Sequence, residues 1–192
     1  MKYAKKNRAM ISAAVLALVA SVAVACSAAT TSSPPGAGSS TSSTDGSQVN
    51  SLLRSGLAQA DKNNWSAAKT NFQNVLAISP RNVYANYDLG VIAQNTGNSS
   101  QAFTYYDNAL AVNANYTPAM YNEAILLETS EPEQAIAMYQ KIVSIDPHAS
   151  TAYLRMALVQ ADLGDIAAAK ANDAKAVSID PAFSKYKLPA KN

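Results

Sequence analysis

From about Val49 to Pro181, apolar side chains recur three and four residues apart, the spacing that lines one face of an α-helix. In NFQNVLAISP, Phe72, Val75, Leu76 and Ile78 keep that spacing, and Pro80 disfavours the helical conformation at Ser79, so the helix ends there. Gly97 and Gly164 fall between such segments, where a residue able to turn left-handed ends the first helix of a pair. The pattern predicts eight amphipathic helices of about 13 residues joined by turns of about 2–5 residues, which pack as antiparallel neighbours.

The same pattern returns at longer range. KIVSIDPHAS and KAVSIDPAFS open at Lys141 and Lys175, 34 residues apart. Stepping back from Pro147 reaches Ala114 in LAVNAN and then Pro80 in LAISPR, at intervals of 33 and 34 residues. Self-similarity at such a period means stacked supersecondary units. Four columns run through the units. Gly56, Gly90, Ala124 and Ala157 are small residues on the first helix of each pair. Ala68, Ala102, Ala135 and Ala169 hold the second helix, each followed four residues later by Phe72, Tyr106, Tyr139 and, as an exception, Asp173. Pro80, Ala114, Pro147 and Pro181 close the units.

These columns resemble the tetratricopeptide repeat family, whose pattern W-x2-L-G-x2-Y, A-x3-F and P is written on two antiparallel helices per repeat. The resemblance implies an all-α, right-handed superhelix of four helix-turn-helix repeats, at about 49–82, 83–116, 117–149 and 150–182, closed by a short C-terminal cap over 183–192. The tryptophan column has drifted to Leu52, Asn86, Met120 and Tyr153, and the tyrosine column to Gln59, Ala93, Leu127 and Gln160. The third unit is one residue short, because Ala124 to Ala135 spans 11 residues where the other units span 12. That predicts a tighter turn in LETSEPEQ, with Ser130 and Glu133 as a capping box and Pro132 in the first turn of the next helix. Asp173, with Lys170, Asn172 and Lys175, makes the last helix polar, as a terminal repeat requires. Phe183, Tyr186 and Leu188 in the tail predict a short helix or extended cover over the fourth unit.

The N-terminal part follows different rules. Lys2, Lys5, Lys6 and Arg8 precede an apolar run from Ala9 to Ala25 broken only by serines, which reads as an export signal over 1–25. Cys26, the only cysteine, stands directly after Ala25. This setting resembles a bacterial lipoprotein lipobox, with Ala23 where Leu is commonest; Ala23-Val24-Ala25 also satisfies the A-x-A site of ordinary secretion. The resemblance implies lipidation of Cys26 and a place on the extracytoplasmic side of the cell membrane or outer membrane. The alternative is a secreted protein with a free thiol. From Ser27 to Gln48, Ser, Thr, Pro and Gly dominate, a composition too polar to offset its ordering entropy. It reads as a tether over 26–48 reaching roughly 25 Å.

Charge and chemistry then narrow the function. Of the 15 basic and 13 acidic residues, four basic and no acidic ones lie in the signal, leaving the mature chain at about −2 with no basic stripe for nucleic acid. The single histidine, His148, sits in a DPHAS turn, where a solvated loop residue is the simplest reading. No second His or Cys exists for a metal site, and no phosphate-binding glycine loop is present. The inventory predicts no enzyme and no cofactor. The repeat family implies a protein-interaction scaffold with first helices lining a concave groove. Helical phase places Leu53/Leu57, Tyr87/Val91, Tyr121/Ile125 and Leu154/Leu158 along that groove, together with Tyr84. The alternative assignment for any one pair is core between helices. Arg54, Asp88, Asn122 and Arg155 lie beside them, too few basic groups in a row for a clamp on peptide carboxylates. An apolar groove predicts an amphipathic helix or apolar extended segment of an envelope protein as partner. Stacking of a small apolar or glycan ligand on Tyr84, Tyr87, Tyr116 and Tyr121 is the alternative, and groove-to-groove homodimerisation a third.

Overall fold

The computed structural model describes residues 41–189. The export signal, Cys26 and most of the tether lie outside the described residues. The chain forms α1 (Thr41–Ala60), α2 (Trp65–Ile78), α3 (Val83–Asn95), α4 (Ser99–Val112), α5 (Thr117–Leu127), α6 (Pro132–Ile145), α7 (Ser150–Leu163) and α8 (Ile166–Ile179). A 3-10 turn, Pro181–Lys185, follows, and no strand occurs among the described residues. Each helix packs on the next, building four antiparallel pairs into an all-α superhelical stack. The first helices also meet across repeats, α1 with α3 and α3 with α5, whereas the second helices make no comparable contact with one another. The stack therefore curves with its first helices inside.

The small-residue columns act by letting helices approach. A Cβ added at Gly56 would come within 2.6 Å of the Phe72 ring, and one at Gly90 would run into Tyr106. Ala68, Ala102, Ala135 and Ala169 are fully buried, and so are Phe72, Tyr106 and Tyr139 four residues after the first three. Each aromatic ring thus fills the gap that a small residue opens on the facing helix, and an enlarged side chain there would overpack a contact that cannot relax locally.

Helix ends follow local chemistry. Gly97 and Gly164 adopt φ of 79° and 89°, the left-handed turn expected at those positions. Asn82, Asn98 and Asp165 cap α3, α4 and α8 by accepting the backbone N–H of Ala85, Gln101 and Ala168. The duplicated SIDP motif makes the same pair of bonds twice. Ser144 and Ser178 donate to the carbonyls of Lys141 and Lys175, at 2.7 and 2.8 Å. Asp146 and Asp180 accept the N–H two residues on, from His148 at 2.9 Å and Ala182 at 3.0 Å. The repeated letters are thus a repeated helix stop.

Three expectations change. The tether, predicted to continue to Gln48, is helical from Thr41. Packing from Val49 onward nucleates α1, after which further turns cost little, and Asp45–Gln48 join it while remaining exposed. The capping box at Ser130 and Glu133 is absent, because Pro132 occupies the first helical position and moves the N-cap to Glu131, which makes no side-chain cap bond. The missing residue of the third repeat is taken from the end of α5, which stops at Leu127, and the turn from 128 to 131 is no tighter than its counterparts. At the C-terminal end, Phe183 is buried with Leu154 and Ala176, and Tyr186 packs beside them.

Candidate functional site

The inner face carries two polar centres. In the first, on α3, Tyr87 is half-buried and its hydroxyl accepts a bond from Asn122 Nδ2 of α5 at 3.3 Å. Tyr116, just before α5, meets both neighbouring tyrosines edge-on, with ring centroids 5.4 Å from Tyr87 and 6.0 Å from Tyr84. Tyr84 remains 56% exposed and opens this cluster to solvent. Asp88 lies recessed among these rings. Its carboxylate has no hydrogen-bond or ion-pair partner among the described residues, and burial pushes its pKa up to about 7. Burial, and then the charge of Asp88, push the Tyr87 phenol up to about 12, against the lowering effect of the Asn122 bond. Burial raises Tyr106 and Tyr116 as well, with Asp88 adding to both.

The second centre joins α5, α6 and α7. Arg155 donates from Nε to Glu128 Oε1 at 2.7 Å and from Nη2 to Glu128 Oε2 at 2.6 Å. The side chains are only 6% and 18% exposed. Tyr139 donates to Glu128 Oε1 at 2.8 Å. Burial would lower the Arg155 pKa, but the Glu128 carboxylate and the adjacent phenols outweigh it and raise the value. This forked, charge-assisted pair is a structural clasp, and its guanidinium is committed.

Family models described as tetratricopeptide repeat match residues 53–119 and 150–183, together more than half of the chain. The chain is a tetratricopeptide repeat protein. The photosystem I assembly protein Ycf3 of Acaryochloris marina (strain MBIC 11017) is 32% identical to it over 77 residues, 38% of this chain and 46% of that protein. Among solved structures, MamA superposes with a TM-score of 0.65 at 24% identity, covering 75% of this chain and 85% of that one. PilF of Pseudomonas aeruginosa superposes at 0.66 and 21% identity, covering 73% of this chain and 66% of that one. YrrB, a tetratricopeptide protein with an unusual peptide-binding site, superposes at 0.60 and 22% identity, covering 71% of each chain. These three likenesses establish the fold. The tetratricopeptide fold is a protein-interaction module, typically non-catalytic.

Against the expected groove, the tetratricopeptide stack sorts the side chains. Leu57 is 47% exposed and Tyr84 more so. Leu53, Tyr87, Val91 and Tyr121 are half-buried against core clusters, and Leu158 packs beside the C-terminal one. Ile125 is half-buried on α5. Leu154 is a correction: it is 2% exposed and belongs to the core, because Phe183 folds back over the last repeat and covers it. The face is also less apolar than its leucines and tyrosines imply, since Asp88, Asn122 and the Glu128–Arg155 clasp sit within it. His148 is exposed between α6 and α7. Among the described residues no group of three or more His, Cys, Asp or Glu could hold a metal ion, and no helix is long and apolar enough to cross a membrane.

Sequence reasoning missed the column that feeds the aromatic hydroxyls. Tyr106 donates to Gln94 at 2.6 Å, 12 residues earlier, and Tyr139 donates to Glu128, 11 residues earlier in the shortened repeat. The first repeat has Phe72 and, 12 residues before it, Ala60: no donor and no acceptor. That covariation within one chain was visible in the letters.

Proposed function

We propose that the protein is an adaptor anchored by lipid on Cys26 to the extracytoplasmic side of a cell membrane or outer membrane, holding a segment of an envelope protein on the inner face of its repeats. The observation that carries the binding half is the exposure of Leu57 and Tyr84 on neighbouring first helices, where a free scaffold gains nothing from leaving them in water. The lipobox-like setting of Cys26, after a basic and apolar leader and before a polar tether, carries the anchoring half. The peptide-binding site named for YrrB and the assembly role named for Ycf3 fit an adaptor and supply no partner.

A photo-crosslinking amino acid at position 57 or 84 tests the reading in intact cells, with one at exposed Ser100 on α4 as control. Adducts to another envelope protein from 57 and 84 and not from 100 are expected. Equal adducts from Ser100, or none from the inner face, overturn it; adducts to this chain itself mean a groove-to-groove dimer. Cys26→Ser tests the anchor. The variant should leave the membrane fraction or remain with its leader uncleaved, and wild-type protein that washes off in salt with no acyl mass on its N-terminal peptide contradicts lipidation.

A further inference from the structure

Asp88 is the odd member of the inner face. Recessed carboxylates are ordinarily paired or hydrogen-bonded, because desolvating the charge is costly, and an unpartnered one calls for an explanation. Within the described residues neither inner-face arginine supplies a partner. Arg155 is held in the fork with Glu128, and Arg54, on α1, is exposed and makes no bond to Asp88. The walls of the recess are aromatic. Tyr87 and Tyr116 meet edge-on at 5.4 Å, Tyr84 meets Tyr116 at 6.0 Å, and the exposed Tyr84 leaves a way in. An uncompensated negative charge behind π-faces fits a cation on a long apolar stem: the methylenes lie along the rings, while the charged head is attracted both by the ring faces and by the carboxylate.

We propose that Asp88, Tyr84, Tyr87 and Tyr116 form a subsite that receives one lysine or arginine side chain of the bound partner segment. The subsite rests on the reading of the inner face as a partner-binding surface. It gives that surface a register: the cation seats at α3, and apolar residues of the partner on one side of it reach Leu57 on α1. It also explains why a polar group that weakens the free fold is placed where a ligand can neutralise it.

The test titrates the protein, labelled for NMR, with three probes: a short acetylated and amidated peptide alternating Leu and Ser around one central lysine, its norleucine twin, and N-acetyl-argininamide alone. The lysine peptide should bind roughly tenfold more tightly than the norleucine twin, shifting signals of Tyr84, Tyr87 and Tyr116. Asp88→Asn should erase that preference and leave norleucine-peptide binding unchanged. Tyr84→Ala, at an exposed position, should weaken the lysine peptide a few-fold without altering the fold. Equal affinity of the twins, with shifts along the inner face, overturns the cation subsite and leaves the adaptor reading standing. Shifts from N-acetyl-argininamide with neither peptide binding support the subsite and count against an apolar segment. No shift from any probe overturns both, and a concentration-dependent dimer lost in Asp88→Asn assigns the recess to a second copy of this chain and overturns the partner-segment proposal.

Discussion

Asp88 and Arg155 occupy the same column of the repeat, two units apart, with Asn122 between them and Arg54 before them. Their fates differ. Arg155 finds Glu128 at the end of the preceding first helix, with Tyr139 completing the carboxylate's bonds. Asp88 finds three phenol rings and no counter-charge. One half of the inner face is therefore closed by its own chemistry, and the other half is left open to something else. The repeat scaffold sets where a side chain in this column points; the neighbouring units decide whether its charge is clasped or left uncompensated.

The sharpest way to break this contrast is to make the closed half resemble the open one. Glu128→Ala leaves the Arg155 guanidinium buried without its carboxylate and takes the acceptor from Tyr139. Removing one partner of a buried pair costs about 3–5 kcal/mol, far more than the net worth of the pair. The denaturant midpoint should fall steeply. Replacing both members, Glu128→Leu with Arg155→Met, should recover much of the loss, and a double variant as unstable as Glu128→Ala would show that the clasp contributes more than the absence of an orphan charge.

The fold was legible because its signals are steric and local. Gly56 and Gly90 must be small for Phe72 and Tyr106 to pack, so the column persists while the tryptophan and tyrosine columns drift. The matched family segments stop at 119 and resume at 150, leaving out most of the shortened third repeat, whose alanines 124 and 135 and Tyr139 still place it in register. The site was less legible because polar partners come from other units. Helical phase put Arg155 on the inner face but could not pair it with Glu128, 27 residues away. Leu154 satisfied the same phase rule as Leu53, Tyr87 and Tyr121, and was buried by a tail that no internal repeat possesses. Composition marked residues up to Gln48 as tether, yet α1 extends back to Thr41 because a helix anchored at one end lengthens cheaply.

Changing pH probes the open half. Asp88 is raised by burial from the usual carboxylate range to about 7, and Glu123, whose Oε2 is buried without a partner, is raised to about 7 by burial and then by Asp107. In both cases the folded chain keeps a proton that the unfolded chain has lost between about pH 4 and about pH 7. Stability from these two groups is therefore present below the unfolded carboxylate range and falls as pH rises through that window, with solvent exposure moderating the size. Asp88→Asn should match wild type near pH 4 and melt higher than wild type at pH 8, with the remaining slope due to Glu123. Identical melting curves at pH 8 would mean that the Asp88 carboxylate is compensated in the free protein, and the contrast with Arg155 would lose its basis.

The smallest effect tests whether paired columns behave as units within the repeats that flank the open site. Tyr106→Phe removes the donor that Gln94 accepts at 2.6 Å, leaving the amide oxygen half-buried without that bond. A loss of about 0.5–1.5 kcal/mol follows from one net hydrogen bond. The first repeat already contains the alternative, Phe72 with Ala60, in which donor and acceptor are both absent. Adding Gln94→Ala to Tyr106→Phe reproduces that arrangement one unit later, so the second substitution should cost less when Tyr106→Phe is already in place than in wild type. The difference measures the coupling between the two positions. A cycle that closes with no coupling would show that the column is a packing column alone, that the hydroxyl is satisfied equally by water, and that the phenol beside Asp88 is anchored by its ring and not by Gln94.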